Sequence, residues 1–275
     1  MKRAALVLCG GRSKRMGRAK AWLPWFGQTM VEHVVSTLAP LVDEVVVVTA
    51  ADLDLPPLDA RIVRDREDAL GPLAGLRDGL AVVESDLVFV TGTDAPEIPP
   101  RYLEELFARK GACAPISEGH VQVLSAVYPA PAAAVEAAAL LAAGKRRPLD
   151  LLEALDYQAI EESEVVMSGE QRPWQGFNTP EAYLSAVRAR DADATAQIEI
   201  LGRAAIGLNA SLFEVPVSTL GEALRTLPAS LEVIDGDRVA KPYLVSLGGR
   251  DVVRDLALPI GPGEQVSVLD ALAGG

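Results

Sequence analysis

Residues 8–20 read LCGGRSKRMGRAK. An apolar run meets Gly10 and Gly11, and basic residues follow at Arg12, Lys14, Arg15, Arg18 and Lys20. Adjacent glycines let main-chain N–H groups approach a ligand and nearby cations neutralise it, so this spacing suits capture of a compact anion such as a phosphate chain. The pattern is neither GxxxxGK[ST] nor GxGxxG. Asp94, in VTGTDAPEIPP, places a carboxylate directly after an apolar run. That is a position where an oxygen-seeking Mg²⁺ would sit with several waters retained, although a turn aspartate gives the same local pattern. Asp65 closes IVRD ahead of a charged run that a solvated face would also produce. Asn178, in FNTP, precedes a Thr-Pro helix entry and fits that structural role equally well. Gly274 and Gly275 form a tail without side chains, suited to threading a narrow active site but also to fraying. No Ser-His-Asp or Cys-His arrangement stands out, and Cys9, Cys113, His33 and His120 show no metal-ligand spacing.

Positioning such groups takes a regular framework, and the periodicity supplies one. Strands are expected at Ala4–Cys9, Glu44–Thr49, Arg61–Arg64, Leu87–Thr91, Ala112–Ile116 and Val121–Tyr128. Several are continuous Val/Leu runs, as in strands covered on both faces of a parallel sheet. Helix signals alternate with them. Thr29 and Glu32 read as a capping box, and Pro72, Pro99–Pro100 and Thr179–Pro180 read as helix openings. The expected fold class is α/β, a doubly wound Rossmann-like, mostly parallel sheet. In such sheets ligands bind at the carboxyl ends of the strands, where the Gly10–Gly11 loop and Asp94 both fall.

The order changes after RDADATAQ at 190–197, a short polar linker. Strands at Gln197–Leu201 and Leu212–Val217, a helix capped by Thr219 and Glu222, and strands at Tyr243–Leu247 and Gln265–Leu269 suggest a small α+β domain. The expected domains are therefore 1–191 and 196–275, the second large enough to fold alone.

The net charge of −12 over 275 residues argues against general nucleic-acid binding, which needs a broad basic face. No apolar run reaches membrane-spanning length, and the stretch Ala4–Cys9 is too short for a signal-peptide core, so a cytoplasmic protein without membrane partners is expected. Cys9 and Cys113 both fall in strand candidates and read as buried free thiols.

GGRSKRMGRAKAWLPWFGQ resembles the signature loop of the molybdenum cofactor guanylyltransferases, within the wider sugar-nucleotide-type nucleotidyltransferases. The segments IVRD–GPLAG, VTGTDAPEIPP, QVLSAVY, GKRRPLDLL and GFNTPEAY follow in the family's order, so the resemblance covers nearly all of residues 4–190. It implies transfer of GMP from GTP to the phosphate of molybdenum-molybdopterin with release of pyrophosphate. Leu8, Cys9, Gly10 and Gly11 would hold GTP, and Lys20, supported by Arg15, would contact its phosphates. Asp65 would face the guanine or ribose, Asp94 would hold Mg²⁺ (or Mn²⁺), and Asn178 would lie toward the pterin. Arg15, Lys20 and Asp94 would then carry the catalysis. Thr49, Val123 and Gly176 depart from the family pattern at positions tied to base and pterin recognition. Cytidylyl transfer, transfer to a sugar phosphate, and a non-catalytic scaffold remain as alternatives.

The ending PIGPGEQVSVLDALAGG resembles the ubiquitin-like small subunit of molybdopterin synthase and related sulfur carriers, although Ser246–Leu247 stand where those proteins have Val-Asn. This likeness implies a β-grasp fold whose terminal Gly275 is adenylated and made a thiocarboxylate. An adenylating enzyme and a molybdopterin synthase large subunit would be the partners.

Overall fold

Three apolar runs, Arg3–Cys9, Glu44–Thr49 and Leu87–Gly92, lie side by side and parallel, with the short strand Arg61–Arg64 added at the edge. A computed structural model describes residues 1–10, 15–65, 71–165 and 172–270. By contact the chain divides into two compact units, Met1–Arg12 with Met30–Gly176, and Ser13–Thr29 with Phe177–Gly275.

The first unit is built on β1 (Arg3–Cys9), β2 (Glu44–Thr49), β3 (Arg61–Arg64), β4 (Leu87–Gly92), β5 (Cys113–Ser117), β6 (Ser125–Pro129) and β7 (Gln158–Glu161). The sheet order is β7-β5-β6-β4-β1-β2-β3, with His120–Val121 added beside β5. Strands β3, β2, β1 and β4 run parallel, β7 is parallel to β5, and β6 is antiparallel to both neighbours. Leu6 lies level with Val46 on one side and Val90 on the other, which explains why these runs are apolar at every position. One face carries α2 (Pro72–Leu80), α4 (Ala130–Ala142) and α5 (Pro148–Ala154) over Leu6, Val48 and Val90. On the strands β1, β4 and β6, α1 (Met30–Leu38) packs against β1 and α3 (Pro100–Ala108) against β4 and β6.

The strand expected over Val121–Tyr128 is broken. Glu118 and Gly119 both take positive φ, 52° and 77°, and turn β5 back as a tight hairpin into His120–Val121. A turn at Gln122–Leu124 then closes, with the Ser125 N–H donating to the Gln122 carbonyl at 2.9 Å, before β6 begins. Helix α2 also stops at Leu80, short of the apolar stretch that follows.

Helix α2 approaches the sheet closely because Gly79 has no side chain. A Cβ there would meet Leu6 and lie 2.8 Å from Val48 Cγ2, both of them core residues. Gly→Ala inside a helix ordinarily gains up to about 1 kcal/mol. Here overpacking of about 1–3 kcal/mol should outweigh that gain, so Gly79→Ala is expected to lower the urea midpoint. A raised midpoint would refute the close packing.

In the second unit the sheet strands are β8 (Thr195–Leu201), β9 (Leu212–Pro216), β10 (Tyr243–Leu247), β11 (Asp251–Val253) and β12 (Gln265–Asp270), in the order β9-β8-β12-β10-β11. The central pair β8/β12 is parallel and the remaining pairs are antiparallel. Between β9 and β10 runs α7 (Leu220–Arg225), whose capping box forms as expected. The Glu222 N–H donates to Thr219 Oγ1 at 3.3 Å, and the Thr219 N–H donates to Glu222 Oε2 at 2.9 Å. The Thr219 N–H and the Thr219 hydroxyl, the latter also at 2.9 Å, both donate to Glu222 Oε2 and hold the Glu222 carboxyl below its usual range. Ile198, Val245, Val268, Leu220 and Leu224 fill this core. The unit also holds α6 (Pro180–Arg190), with Thr179 Oγ1 accepting from the Ala182 N–H at 3.3 Å, and the segment 15–29.

Among the described residues, no helix is long and apolar enough to cross a membrane.

Candidate functional site

In the first unit the chain winds from β1 to β2 and β3 on one side, then returns to β4 on the other. The switch point of the sheet therefore lies between β1 and β4. The parallel register sets Cys9 beside Thr49, Thr49 beside Arg64, and Leu8 beside Gly92. Leu8, Cys9, Gly10, Asp65 and Asp94 thus share one edge of the sheet, the carboxyl edge.

Leu8 is half-buried, and its carbonyl accepts from the Thr93 N–H at 3.2 Å and from Thr93 Oγ1 at 3.1 Å, which ties the ends of β1 and β4 together. Burial pushes the Cys9 thiol up. The thiol is therefore neutral at pH 7 and is no thiolate nucleophile. Gly10 is exposed, and a Cβ there would meet nothing within 4 Å, so its backbone stands open to an approaching group. Gly11 lies outside the described residues. Asp65 is half-buried, with its N–H donating to the Thr49 carbonyl at 2.8 Å.

Asp94 is half-buried two residues beyond β4. Its carboxylate lies against two bare backbones: a Cβ on Gly92 would sit 2.7 Å from Oδ1, and one on Gly176 would sit 3.0 Å from Oδ2. Gly176, noted above only as a departure from the family pattern, therefore bounds the carboxylate that the same pattern assigns to a metal. Among the described residues no three His, Cys, Asp or Glu side chains form a metal-holding group. A single carboxylate cradled by glycines suits Mg²⁺, which is commonly bound by one or two carboxylates plus substrate phosphates and waters; the residues fit that ion.

In the second unit Pro24–Trp25 pairs with Gln28–Thr29, turning through Phe26 and Gly27 at φ 46° and 89°. Trp25 is fully buried and stacks on Phe177, with ring centroids 5.6 Å apart, so this hairpin is anchored beside the FNTP segment. A 3₁₀ turn, Lys20–Trp22, precedes it. Lys20 Nζ donates to Asn178 Oδ1 at 2.9 Å, bringing together two candidates separated by 158 residues. Arg15 is exposed. Arg18, one of the basic cluster, is committed elsewhere: its guanidinium pairs with Glu264 at 2.6 Å. Glu264 carried no sequence signal. Gly275 lies outside the described residues.

Comparison with known structures agrees with this framework. A crystal structure of molybdopterin-guanine dinucleotide biosynthesis protein A from Archaeoglobus fulgidus superposes with a TM-score of 0.57 at 22% identity, covering 69% of this chain and 99% of that one. A probable molybdenum cofactor guanylyltransferase of Natronomonas pharaonis is 32% identical over 189 residues, 65% of this chain and 94% of that protein. One from Carboxydothermus hydrogenoformans is 34% identical over 125 residues, 44% of this chain and 63% of that protein. Fold and relatives define the class as an α/β nucleotidyltransferase. MobA-like NTP transferase domains match residues 5–160, and the chain belongs to that family.

Proposed function

We propose that the chain transfers GMP from GTP to the terminal phosphate of molybdenum-molybdopterin. A phosphate oxygen of the pterin attacks the α-phosphorus, the bond to the β-phosphate oxygen breaks, and pyrophosphate leaves. The acceptor is already largely anionic at pH 7, since a phosphate monoester loses its second proton near pH 6, so no strong general base is required. Catalysis then rests on positioning and charge neutralisation.

The observation that carries this reading is the Asp94 carboxylate in its glycine cradle at the switch point. Asp94 would hold the Mg²⁺, which when bound offsets charge on the triphosphate and on the departing pyrophosphate. Leu8, Cys9, Gly10 and Gly11 would present main chain to the nucleotide, Lys20 and Arg15 would neutralise its phosphates, and Asp65 would meet the ribose or base. Asn178 would orient Lys20 and reach toward the pterin; the Lys20–Asn178 hydrogen bond supports the first of these roles.

Residues 1–191 would form this catalytic domain and residues 196–275 a ubiquitin-like sulfur carrier. A parallel central pair made from the first and last strands, with a helix following the second strand, supports a β-grasp reading of the latter. Gly275 would be the adenylated end, served by an activating enzyme and a molybdopterin synthase large subunit.

The test is mass spectrometry of the full chain with molybdenum-molybdopterin, Mg²⁺ and either GTP or CTP. A second arm contains ATP and an adenylating enzyme. A guanylated pterin with pyrophosphate, and an adenylyl mass on the C-terminal peptide, are expected. Product from CTP alone overturns the guanylyl reading, and an unmodified tail overturns the carrier.

A further inference from the structure

Arg18 and Glu264 are 246 residues apart in sequence and form a pair withdrawn from water, with side chains 16% and 5% exposed. Arg18 Nη1 donates to Glu264 Oε1 at 2.6 Å, and Nη2 donates to the Trp22 carbonyl at 3.4 Å. The other carboxylate oxygen of Glu264 accepts the Gly261 N–H at 3.0 Å. The main chain of Glu264 is held as well, its N–H donating to the Gly261 carbonyl at 3.2 Å and its carbonyl accepting from the Gln197 N–H at 2.9 Å. It is a fixed post in the turn between Ile260 and β12.

Three further contacts join the same stretches. Gly17, at φ 73°, has room for no Cβ, which would lie 2.5 Å from Leu258 Cδ2 and 3.4 Å from the Asp255 carboxylate. The Arg250 guanidinium stacks 3.7 Å from the Trp22 ring centroid. Gly261 lies under the Tyr183 hydroxyl and against Pro24, and that hydroxyl donates to the Pro24 carbonyl. Residues 250–264 therefore grip residues 17–25 on both sides of Lys20.

We propose that Glu264 is a positioning residue for nucleotide binding. Through Arg18 it fixes the backbone from Gly17 to Trp22, and so sets where Lys20 stands. The inference rests on the reading that Lys20 meets the triphosphate. It makes the C-terminal segment a working part of the nucleotide site and removes Arg18 from the phosphate-binding cations. A buried guanidinium whose carboxylate is lost is left uncompensated and is drawn toward any nearby anion, taking its loop with it.

The test compares the full chain with its Glu264→Gln, Glu264→Asp and Arg250→Ala forms. It uses two readouts: hydrogen exchange of amides 15–25, and steady-state pyrophosphate release with molybdenum-molybdopterin as acceptor and GTP varied. Glu264→Gln is expected to raise exchange across this segment and to raise KM for GTP about tenfold, with kcat changed less than about twofold, because ground-state placement is what is lost. Glu264→Asp should recover part of that loss. Arg250→Ala, which relaxes the grip from the surface, should raise KM about threefold. Unchanged exchange in Glu264→Gln overturns the anchoring. Raised exchange with unchanged KM overturns the positioning role and leaves Glu264 a packing residue. An unsubstituted chain that does not turn over GTP instead sinks the proposed function, and the positioning role with it, while the exchange readout still reports whether the anchor exists.

Discussion

Asp94→Asn is expected to cut pyrophosphate release at saturating GTP by about 10²–10³-fold, the scale of losing one preorganised electrostatic contact to the reacting phosphates. The geometry makes this a clean substitution. The Asp94 carboxylate rests against the bare backbones of Gly92 and Gly176, and asparagine has the same shape, so neither cradle wall must move. The side chain is half-buried at the end of β4 and bears on none of the apolar contacts that hold the sheet. Thermal unfolding should therefore shift by only a few degrees while activity collapses. The negative charge is what disappears, and with it, on the function proposed above, one of the few protein ligands for a divalent cation. A Mg²⁺ titration of the variant should show its half-saturation moved upward at least tenfold, consistent with loss of a direct ligand. A rate within twofold of the unsubstituted chain, at the same Mg²⁺ requirement, would remove Asp94 from the reaction and return it to the role of a turn residue.

The first unit was largely readable because strands such as EVVVVT and LVFVTG must be buried on both faces, and that requirement writes itself into every position of the run. Once their parallel order is fixed, the switch point follows and brings Leu8, Gly10 and Asp94 to one edge. Local chemistry at tight turns was less legible. The stretch Val121–Tyr128 is apolar enough for one strand, yet the turn at Gln122–Leu124 divides it, because Val121 pairs with β5 through the Glu118–Gly119 hairpin while β6 starts at Ser125 and pairs along its length with β4. The three-residue β11 and the pair Ile234–Asp235/Arg238–Val239 sit in polar sequence too short to show a period. Of the candidate site residues, Lys20 and Asn178 were each singled out through the resemblance, but not their mutual hydrogen bond. Glu264 was not reachable at all. A buried ion pair across 246 residues leaves no periodicity, and GPGEQ, read above as part of a sulfur-carrier-like ending, gives no sign of a partner at Arg18.

Lys20→Ala is expected to lower kcat/KM for GTP by about 10²-fold or more, while Asn178→Ala lowers it by about tenfold or less. Charge-assisted contacts to phosphate are roughly twice as strong as neutral ones, and the ammonium is the charged member of the pair. Lys20 opens a 3₁₀ turn whose carbonyl accepts the Leu23 N–H at 3.1 Å, so its backbone stays fixed when the side chain is cut back to the methyl of alanine. The loss is then of the ammonium alone. Asn178 Oδ1, 2.9 Å from Nζ, orients that ammonium without adding charge, which is why its removal should cost less. Lys20→Arg is not expected to restore full activity, since a planar guanidinium replaces a compact point charge and cannot reproduce the same contact with Asn178. Isothermal titration with GTP at two salt concentrations separates the effects. The unsubstituted chain should bind more weakly at high salt, and Lys20→Ala should show a shallower salt dependence because one screened attraction is gone. Equal salt dependence in both proteins, together with unchanged kcat/KM, would mean that the basic segment after β1 meets solvent and not a triphosphate.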